Sequence, residues 1–347
     1  MLDNQGAPPA VVGPYLASAL VDGRWAKCTA TLISGGKSNL TYRVTSPAGR
    51  VVLRRPPLGS VLPTAHDMSR EHTVISALAG SAVPVPEALH LCTDPRVLGA
   101  PFHVMSYVDG PVVRDAFPPG YADQPEQRRA VADELIDVLA RLHAVDIETA
   151  GLSGFGRPEG FLDRQIRRWA AQWQASRTAD SPAVDDLAAA LAASVPASPA
   201  PAVVHGDYRL DNTVLDPRAP GRILAVLDWE MATLGDPLAD LGLLLVYWQA
   251  PVDRANPLAA QTGGGLTALP GFPSRDELCA RYADQTGRDL AALSWYVAFG
   301  CFKLAVVVAG IVARHRAGAM VGGGFEGIGA ALEPLVHRGH AELRGMR

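Results

Sequence analysis

The feature that most restricts the possible fold is a short polar segment followed by one apolar strand. His205, Asp207 and Asn212 form an H-x-D-x-x-x-x-N pattern, and Asp228 directly follows the apolar run Ile223–Leu227. An aspartate at a strand end is expected to face the same cleft as Asn212. Asp207 can accept a proton from a hydroxyl group, and the other two side chains carry oxygen atoms of the kind that bind Mg²⁺. The segment therefore predicts a cleft suited to phosphoryl transfer.

Strand patterns dominate the first part of the chain. Alternating apolar residues and glycine-containing turns predict five strands and one helix, closing near residue 109. The strands are expected within Thr31–Val44, which holds two, and at Val51–Arg55, Val85–Cys92 and Pro101–Val108. The helix is expected over Ala65–Leu78. We interpret residues 1–109 as a nucleotide-binding lobe built on a five-stranded antiparallel sheet.

Helical periodicity dominates the rest of the chain, which we interpret as a catalytic and acceptor-binding lobe, residues 110–347. Strands are expected only around Val203–Leu215 and Ile223–Leu227, where they carry the polar segment. The predicted helices are Gln127–His143, Phe161–Ser176, Val184–Ser194, Asp240–Trp248, Arg275–Thr286, Leu290–Arg316 and Gly327–Leu343. The sequence thus predicts an α+β fold with a small lobe and a larger, mainly helical lobe.

Composition limits the possible partners and compartment. The chain has 347 residues, enough for two packed lobes, and its net charge of -4 argues against nucleic acid as a partner. Four widely spaced cysteines without a C-x-x-C pair, together with a start that lacks an apolar core, predict a cytoplasmic protein. The apolar stretch Trp295–Ala313 contains Lys303, so we expect a buried helix and no membrane span.

A glycine-rich loop, Ser34–Asn39, lies between the first two predicted strands. Glycines let backbone N–H groups approach phosphates closely, although an ordinary hairpin turn has the same appearance. A Walker A loop is excluded because the pattern needs glycine at position 31, where the chain has Thr31, and a helix must follow it. The loop residues that we expect to bind nucleotide are Gly35, Gly36, Ser38 and Asn39.

Arg54 and Glu71 are expected to act as a pair. A strand cation held by a helix carboxylate is how kinase-type folds position nucleotide phosphates, and arginine offers a fork suited to phosphate oxygens. Val52 lies on the same strand face as Arg54, whereas Arg55 is expected on the opposite face. An exposed surface salt bridge between Arg54 and Glu71 is the alternative interpretation.

The remaining polar residues of the segment are expected to support the structure. His205 is interpreted as a histidine that bonds nearby backbone, and Asp236 and Asp240 as carboxylates that satisfy N–H groups near a helix start. An H-x-D metal pair of His205 with Asp207, as in a hydrolase, would leave Asn212 and Asp228 unexplained.

The motifs together resemble the aminoglycoside phosphotransferase and choline kinase-like family, whose members have a protein-kinase-like fold. HGDYRLDN and LDWEMATLGDPLADLG carry the resemblance, and GGKSNLTYRV, VVLRRPP and LPTAHDMSRE precede them in the expected order. Roughly residues 25–340 are covered. Several of these motifs look most like the kinase-like domains that are fused to, or encoded near, acyl-CoA dehydrogenases.

The resemblance implies the role of each site residue and the two cofactors, ATP and Mg²⁺. Asp207 would be the catalytic base, Asn212 and Asp228 the Mg²⁺ ligands, and Arg54 with Glu71 the phosphate-binding pair. Ser106 and Val108 would belong to the segment that binds adenine. Arg54 departs from the usual lysine of the family.

The implied acceptor is the hydroxyl of a hydroxyacyl-CoA or a related hydroxy acid. An aminoglycoside, another amino alcohol or a sugar is the alternative acceptor. A non-catalytic nucleotide-binding module that partners an acyl-CoA dehydrogenase is the alternative of another class. Five arginines could receive CoA phosphates or form solvated basic faces: Arg164, Arg167 and Arg168, which lie one helical turn apart, and Arg314 and Arg316 at the end of another predicted helix.

Overall fold

The structure is a computed structural model that describes residues 4–33, 39–58, 67–178, 180–249, 265–317 and 327–345. Three of the predicted nucleotide-binding residues, Gly35, Gly36 and Ser38, lie outside the described residues, as does the start of the helix predicted from Ala65.

A five-stranded antiparallel sheet forms the first part of the fold, as predicted. Its strands are ordered β1-β2-β3-β5-β4, and β3 lies at the centre with β2 and β5 as neighbours. The strand bounds are β1 (Thr29–Leu32), β2 (Leu40–Ser46), β3 (Gly49–Arg55), β4 (Ala88–Cys92) and β5 (Phe102–Ser106).

The two faces of this sheet pack against different helices. The inner face contributes Val52 and Met105 to the main core, which also contains Val74 and Ile75 of α2 (Met68–Leu78). The outer face forms a second core with α1 (Pro9–Ala19). The sequence predicted α2 only, so α1 and the single-turn α3 (Pro95–Leu98) add to the expected architecture.

Helices make up most of the remaining fold. Two small antiparallel pairs interrupt them, β6 with β9 and β7 with β8. The helices are α4 (Pro125–His143), α5 (Phe161–Ser176), α6 (Pro182–Ala193), α7 (Leu238–Tyr247), α8 (Arg275–Thr286), α9 (Leu293–Arg316) and α10 (Leu332–Arg344). The strands are β6 (Ala202–Val204), β7 (Thr213–Leu215), β8 (Ile223–Val226) and β9 (Thr233–Gly235). The α+β class and the mainly helical second part are confirmed.

Helix α9 is the central helix of this part. It is long and apolar enough to cross a membrane, but 78% of its most apolar window is buried inside the protein, against α7, α10 and α5. The predicted buried helix is therefore confirmed. Because α9 packs on several partners, apolar residues occupy most of its circumference and leave little amphipathic signal.

Most predicted bounds differ from the observed ones by one to three residues, β9 was not predicted, and two differences are larger. Val203–Leu215 is not one strand, because β6 ends at Val204 and an irregular loop separates it from β7. That loop carries the H-x-D-x-x-x-x-N pattern. The last helix begins at Leu332 and not at Gly327, because the turn Ile328–Ala331 before it is a 3-10 helix.

Candidate active site

The antiparallel pair of β7 and β8 brings two predicted metal ligands to the same end of the two strands. Asn212 immediately precedes β7, and its carbonyl oxygen accepts a hydrogen bond from Leu227 N at 2.8 Å. Asp228 is the next residue after Leu227. The antiparallel pairing of Thr213 with Val226 therefore places Asn212 and Asp228 at the same end of the hairpin.

The side chain of Asn212 is oriented by Asp207. Asn212 Nδ2 donates to the Asp207 carbonyl oxygen at 2.8 Å and to Asp207 Oδ2 at 3.1 Å. Both amide hydrogens are thereby used, so the carbonyl oxygen Oδ1 of Asn212 is the atom left to bind a cation. The structure therefore joins the predicted base and one predicted metal ligand directly.

The loop before Asp207 is fixed by Asp240. The two carboxylate oxygens of Asp240 accept hydrogen bonds from His205 N at 2.6 Å and from Gly206 N at 2.8 Å. His205 Nε2 lies 2.8 Å from the carbonyl oxygen of Leu227, which agrees with its interpretation as a structural histidine. Gly206 has a φ of 84°, and a Cβ there would lie 2.8 Å from Met231, so this position requires glycine.

Asp236 also supports the structure. Its carboxylate accepts hydrogen bonds from Leu238 N at the start of α7, at 3.0 Å, and from the Tyr296 hydroxyl of α9, at 2.7 Å. Burial raises the pKa of Asp236 above its ordinary value, although these two donors oppose the rise. The carboxylate thus ties α7 to α9 behind the loop that carries Asp207.

Arg54 lies at the centre of an interior charge cluster. Its Nε is 3.3 Å from Glu71 Oε2, and its Nη2 is 2.8 Å from Asp228 Oδ1 and 3.9 Å from Glu230 Oε2. The Arg54 side chain is 8% exposed and that of Glu71 is fully buried. The predicted pair is therefore present, and the alternative of an exposed surface salt bridge is wrong.

The cluster contains a histidine that the sequence did not indicate. His103 pairs with Arg54 across β3 and β5, and its Nε2 lies 3.2 Å from Glu71 Oε2. Burial alone would raise the pKa of Glu71, but Arg54 and His103 outweigh burial and lower it from 4.5 to about 2. Burial would lower the pKa of Arg54, but Glu71 and Asp228 raise it above its ordinary value. Both groups of the pair are charged near neutral pH.

Asp228 has an unusual backbone conformation. Its φ of 66° and ψ of 58° lie in the left-handed region, where the chain turns from β8 into the 3-10 turn Trp229–Met231. Aspartate is among the few residues other than glycine that adopt this conformation with little strain. The Asp228 carboxylate contacts Arg54, but its side chain is 36% exposed. It therefore remains accessible from the cleft.

The other predicted nucleotide-binding residues line the same sheet. Asn39, at the edge of the glycine loop, donates from Nδ2 to Glu230 Oε2 at 2.7 Å. Val52 is 7% exposed on the inner face and pairs with Met105 of β5. Ser106 ends β5, where its hydroxyl accepts from Glu87 N at 2.9 Å, and Val108 follows two residues later.

The donors at the hairpin end fit Mg²⁺. Asn212 and Asp228 offer hard oxygen atoms, which is the ligand type that this ion prefers, and nucleotide phosphates usually supply further ligands. Within the described ranges, no group of three or more His, Cys, Asp or Glu side chains is placed to hold a metal.

Two cations beside Asp207 were not identified from the sequence. Arg209 lies 3.7 Å from Asp207 and 2.5 Å from Asp211, with its guanidinium over the Tyr247 ring. Burial raises the pKa of Asp211 to about 6, although Arg209 opposes the rise. Lys303 of α9 donates from Nζ to the Gly206 carbonyl oxygen. Two features of the sequence could have indicated them. Arg209 lies within the H-x-D-x-x-x-x-N pattern, and Lys303 is a charged residue among the apolar residues of α9.

The five arginines considered for CoA phosphates have different environments. Arg164 donates to the backbone carbonyls of Glu159 and Arg157, which occupies its guanidinium. Arg168 lines a cavity with Lys303 beside Gly206. The other three are exposed: Arg167, Arg314 and Arg316.

Comparisons with known proteins give consistent results. The profile of the "Phosphotransferase enzyme family" matches residues 29–293. Mouse acyl-CoA dehydrogenase family member 10 is 35% identical over 284 residues, which cover 82% of this chain and 26% of the mouse protein. Human family member 11 is 35% identical over 298 residues, covering 85% of this chain and 37% of the human protein. The chain thus spans about a quarter to two fifths of the length of these relatives.

Solved structures show the same fold. A Ralstonia eutropha protein, provisionally described as an aminoglycoside phosphotransferase, is 32% identical with a TM-score of 0.79, and the alignment covers 96% of this chain and 98% of that one. The aminoglycoside phosphotransferase APH(4)-Ia, in a ternary complex with AMP-PNP and hygromycin B, is 16% identical with a TM-score of 0.59. That alignment covers 96% of this chain and 97% of the other.

Proposed function

Because this chain belongs to the phosphotransferase enzyme family, we propose that it is an ATP- and Mg²⁺-dependent kinase that phosphorylates a hydroxyl of a small molecule. The observation that carries the proposal is the contact between Asp207 and Asn212, at the hairpin end that also holds Asp228. One site thus contains a proton acceptor and two oxygen donors for a cation, as transfer of a phosphoryl group to an alcohol requires.

Asp207 is the proposed base. Its carboxylate accepts a hydrogen bond from Asn212 and lies near the Arg209 guanidinium, so one oxygen is held while the other can approach a hydroxyl. Removal of the hydroxyl proton by Asp207 leaves the acceptor oxygen free to bond to the γ-phosphorus as the bond to the β-phosphate oxygen breaks. Asp240, through its bonds to the preceding backbone, keeps this carboxylate in position.

Arg54 is the proposed phosphate-binding cation, held by Glu71 as in kinase-type folds. Gly35, Gly36, Ser38 and Asn39 would cover the phosphates, and Val52, Ser106 and Val108 would line the adenine site. Asn212 and Asp228 would hold Mg²⁺, which when bound neutralises charge on the phosphates. The position of Arg54 between Glu71 and Asp228 supports this assignment, because it places the cation beside the proposed metal ligands.

A hydroxyacyl-CoA or a related hydroxy acid is the proposed acceptor. The similarity to acyl-CoA dehydrogenase family members 10 and 11 supports a functional link to acyl-CoA dehydrogenation, with such an enzyme as the partner. The chain matches only 26% of the mouse protein and 37% of the human protein, so this link is itself part of the proposal. We further propose a cytoplasmic location.

The test is release of ADP by the purified protein with ATP and Mg²⁺ and a panel of hydroxyacyl-CoAs, hydroxy acids, choline, sugars and aminoglycosides. We expect turnover with a hydroxyacyl compound and a loss of about 10²- to 10⁴-fold in Asp207→Asn, the range for removal of a general base. Asp284→Asn is the matched control, because Asp284 is an exposed aspartate of α8.

Two results would contradict the proposal. Unchanged turnover in Asp207→Asn would remove Asp207 from the proposed role. Binding of ATP without turnover on any acceptor would favour a nucleotide-binding module instead.

A further inference from the structure

A cavity opens beside Gly206, next to the loop that carries Asp207. Its enclosed volume is about 30 Å³, and the cavity is open to solvent on one side. Five elements contribute to its walls, namely β6, β9, α5, α7 and α9, together with the turn Trp229–Met231. Most of the wall is apolar, with Phe161, Leu243 and Phe299 among the lining residues, and the cations Lys303 and Arg168 also line it. An apolar cavity with a few convergent polar groups is the usual form of a small-molecule site.

Lys303 is an unusual residue in this wall. It extends from the apolar helix α9, and its Nζ donates to the Gly206 carbonyl oxygen and lies 5.4 Å from the centre of the Trp169 ring. In the part of the chain that the structure describes, no carboxylate oxygen lies within 4.0 Å of this ammonium group. An ammonium group has three donors, and a partly buried charge without an ion-pair partner costs free energy. The remaining donors therefore favour an oxygen atom of a ligand.

The charged groups around the cavity indicate the kind of ligand. Asp240 lines the cavity, but both of its carboxylate oxygens accept from backbone N–H groups of the Asp207 loop. Arg168 is exposed at the cavity and close enough to disfavour the charge on Lys303. Burial is the main cause that lowers the pKa of Lys303, and Asp207 and Asp240 oppose it. The cavity thus presents two cations and a carboxylate that is already engaged.

We propose that this cavity binds the acyl end of the phosphate acceptor, with an acyl oxygen accepting a hydrogen bond from Lys303 while Asp207 contacts the hydroxyl. This inference rests on the proposed function, because it assigns Asp207 to the acceptor hydroxyl. A cationic acceptor such as an aminoglycoside fits poorly, because Lys303 and Arg168 would repel it.

The distance between Lys303 and Asp207 limits the length of the acceptor. Lys303 contacts Gly206, which is the residue directly before Asp207. Lys303 and Asp207 thus meet adjacent residues of one backbone segment, with a span of roughly 3.3 to 3.6 Å per residue, so the proposal requires an acyl oxygen only a few bonds from the hydroxyl. The phosphates of CoA lie much farther from the hydroxyl and cannot be the oxygens at Lys303. The ligand oxygen therefore belongs to a carboxylate or to a thioester carbonyl.

Binding measurements test the assignment without requiring turnover. Isothermal titration would compare hydroxybutyrate, hydroxybutyryl-CoA and the matching butanediol, each with the hydroxyl on the third or the fourth carbon, in the full chain with AMP-PNP and Mg²⁺. We expect at least one acyl probe to bind more tightly than its diol by about tenfold or more, as for a hydrogen bond to a charged group. Preference for the free acid would identify a carboxylate, and preference for the CoA ester a thioester carbonyl.

Lys303→Met is the decisive variant, with Lys303→Arg and Arg168→Met as companions. We expect Lys303→Met to abolish the preference for the acyl probe without changing the affinity for AMP-PNP, and Lys303→Arg to restore part of the preference. Arg168→Met, at the exposed side of the cavity, should weaken acyl binding less. If Lys303→Met fails to fold, Lys303→Arg and the diol comparison in the wild type still decide the question.

The outcomes separate this inference from the proposed kinase activity. Equal binding of acyl and diol probes, no binding of any acyl probe, or an unchanged preference in Lys303→Met would overturn it. A fall in turnover that is equal for acyl and non-acyl acceptors, with binding unchanged, would show that Lys303 only positions the Asp207 loop. Turnover of a sugar without acyl binding would leave the kinase proposal intact, and selective acyl binding without turnover would leave only this inference.

Discussion

Arg54 and Arg55 are neighbours on β3, and their surroundings differ completely. Arg54 faces the cleft and lies within ion-pair distance of Glu71 and Asp228. Arg55 faces the outer core and donates to the carbonyl oxygens of Gly6 at 2.9 Å and Leu98 at 2.7 Å. Both residues are buried, with 7% and 5% exposure, so burial alone does not distinguish them.

The partners of each arginine account for the difference. Carboxylates raise the pKa of Arg54 despite burial, whereas burial lowers the pKa of Arg55, which has only uncharged carbonyl partners in the described part of the chain. Carbonyl groups use the donors of a guanidinium to join chain segments. Carboxylates instead form a charged site with the guanidinium, to which nucleotide phosphates and a metal ion can bind. The same residue type thus joins α3 and the segment before α1 to the sheet on one face, and forms the proposed phosphate site on the other.

Among the changes that compare the two faces of the sheet, the largest effect is expected from Arg54→Met. Loss of the cation should lower kcat/KM for the nucleotide by on the order of 10- to 100-fold, the equivalent of one hydrogen bond between charged groups. It should also lower the free energy of unfolding by up to about 3–5 kcal/mol, because the buried Glu71 carboxylate loses its arginine partner and keeps His103 as its remaining ion-pair contact. Steady-state kinetics and urea unfolding measure the two effects.

A second variant separates function from stability at this position. Arg54→Met combined with Glu71→Gln removes both charges, so most of the stability should return while the nucleotide affinity stays low. Full recovery of activity in the double variant would contradict the role of Arg54 in phosphate binding.

An effect of intermediate size on stability is expected at low pH, where Glu71, the partner of Arg54 on the cleft face of the sheet, becomes protonated. The pKa of Glu71 is about 2 in the folded protein, against an ordinary value of 4.5. The stabilisation that Glu71 provides is therefore fully present above about pH 4.5 and is lost as the pH falls towards 2. At about 1.4 kcal/mol per pKa unit, the loss is at most about 3–4 kcal/mol. Urea unfolding across this range should show a steeper decline for the wild type than for Glu71→Gln. Parallel curves would contradict the assigned pKa.

The smallest effect is expected from Arg55→Met on the outer face. The carbonyl oxygens of Gly6 and Leu98 would lose their donor, which should lower the free energy of unfolding by about 1–3 kcal/mol. Nucleotide KM and kcat should stay unchanged, because the outer core lies on the opposite side of the sheet from Glu71. A large kinetic effect of Arg55→Met would break the distinction between the two faces.

The opposite orientations of Arg54 and Arg55 could be predicted from the sequence, because side chains alternate along a strand. The five strands of the sheet and the helices of the second part followed from periodicity in the same way. Helix α1 was missed because Pro14 and Gly13 interrupt its pattern and leave a weak signal of amphipathicity.

Contacts between distant segments were beyond what the sequence could predict. His103 reaches Glu71 only because β5 pairs with β3, and Lys303 reaches Gly206 only because α9 packs behind the Asp207 loop. Local patterns specify which elements form and which face is apolar. They do not specify which of several buried polar side chains lie opposite one another, because this depends on the packing of whole elements.

The left-handed conformation of Asp228 restricts which residues evolution or a designer can place there. Glycine and asparagine also tolerate such a backbone, but neither supplies the negative charge that Arg54 contacts. Glutamate supplies the charge, but it is strained in this conformation and its longer side chain would displace the oxygens. Aspartate alone meets both requirements, so tolerance to substitution at this position should be low before any catalytic demand is considered.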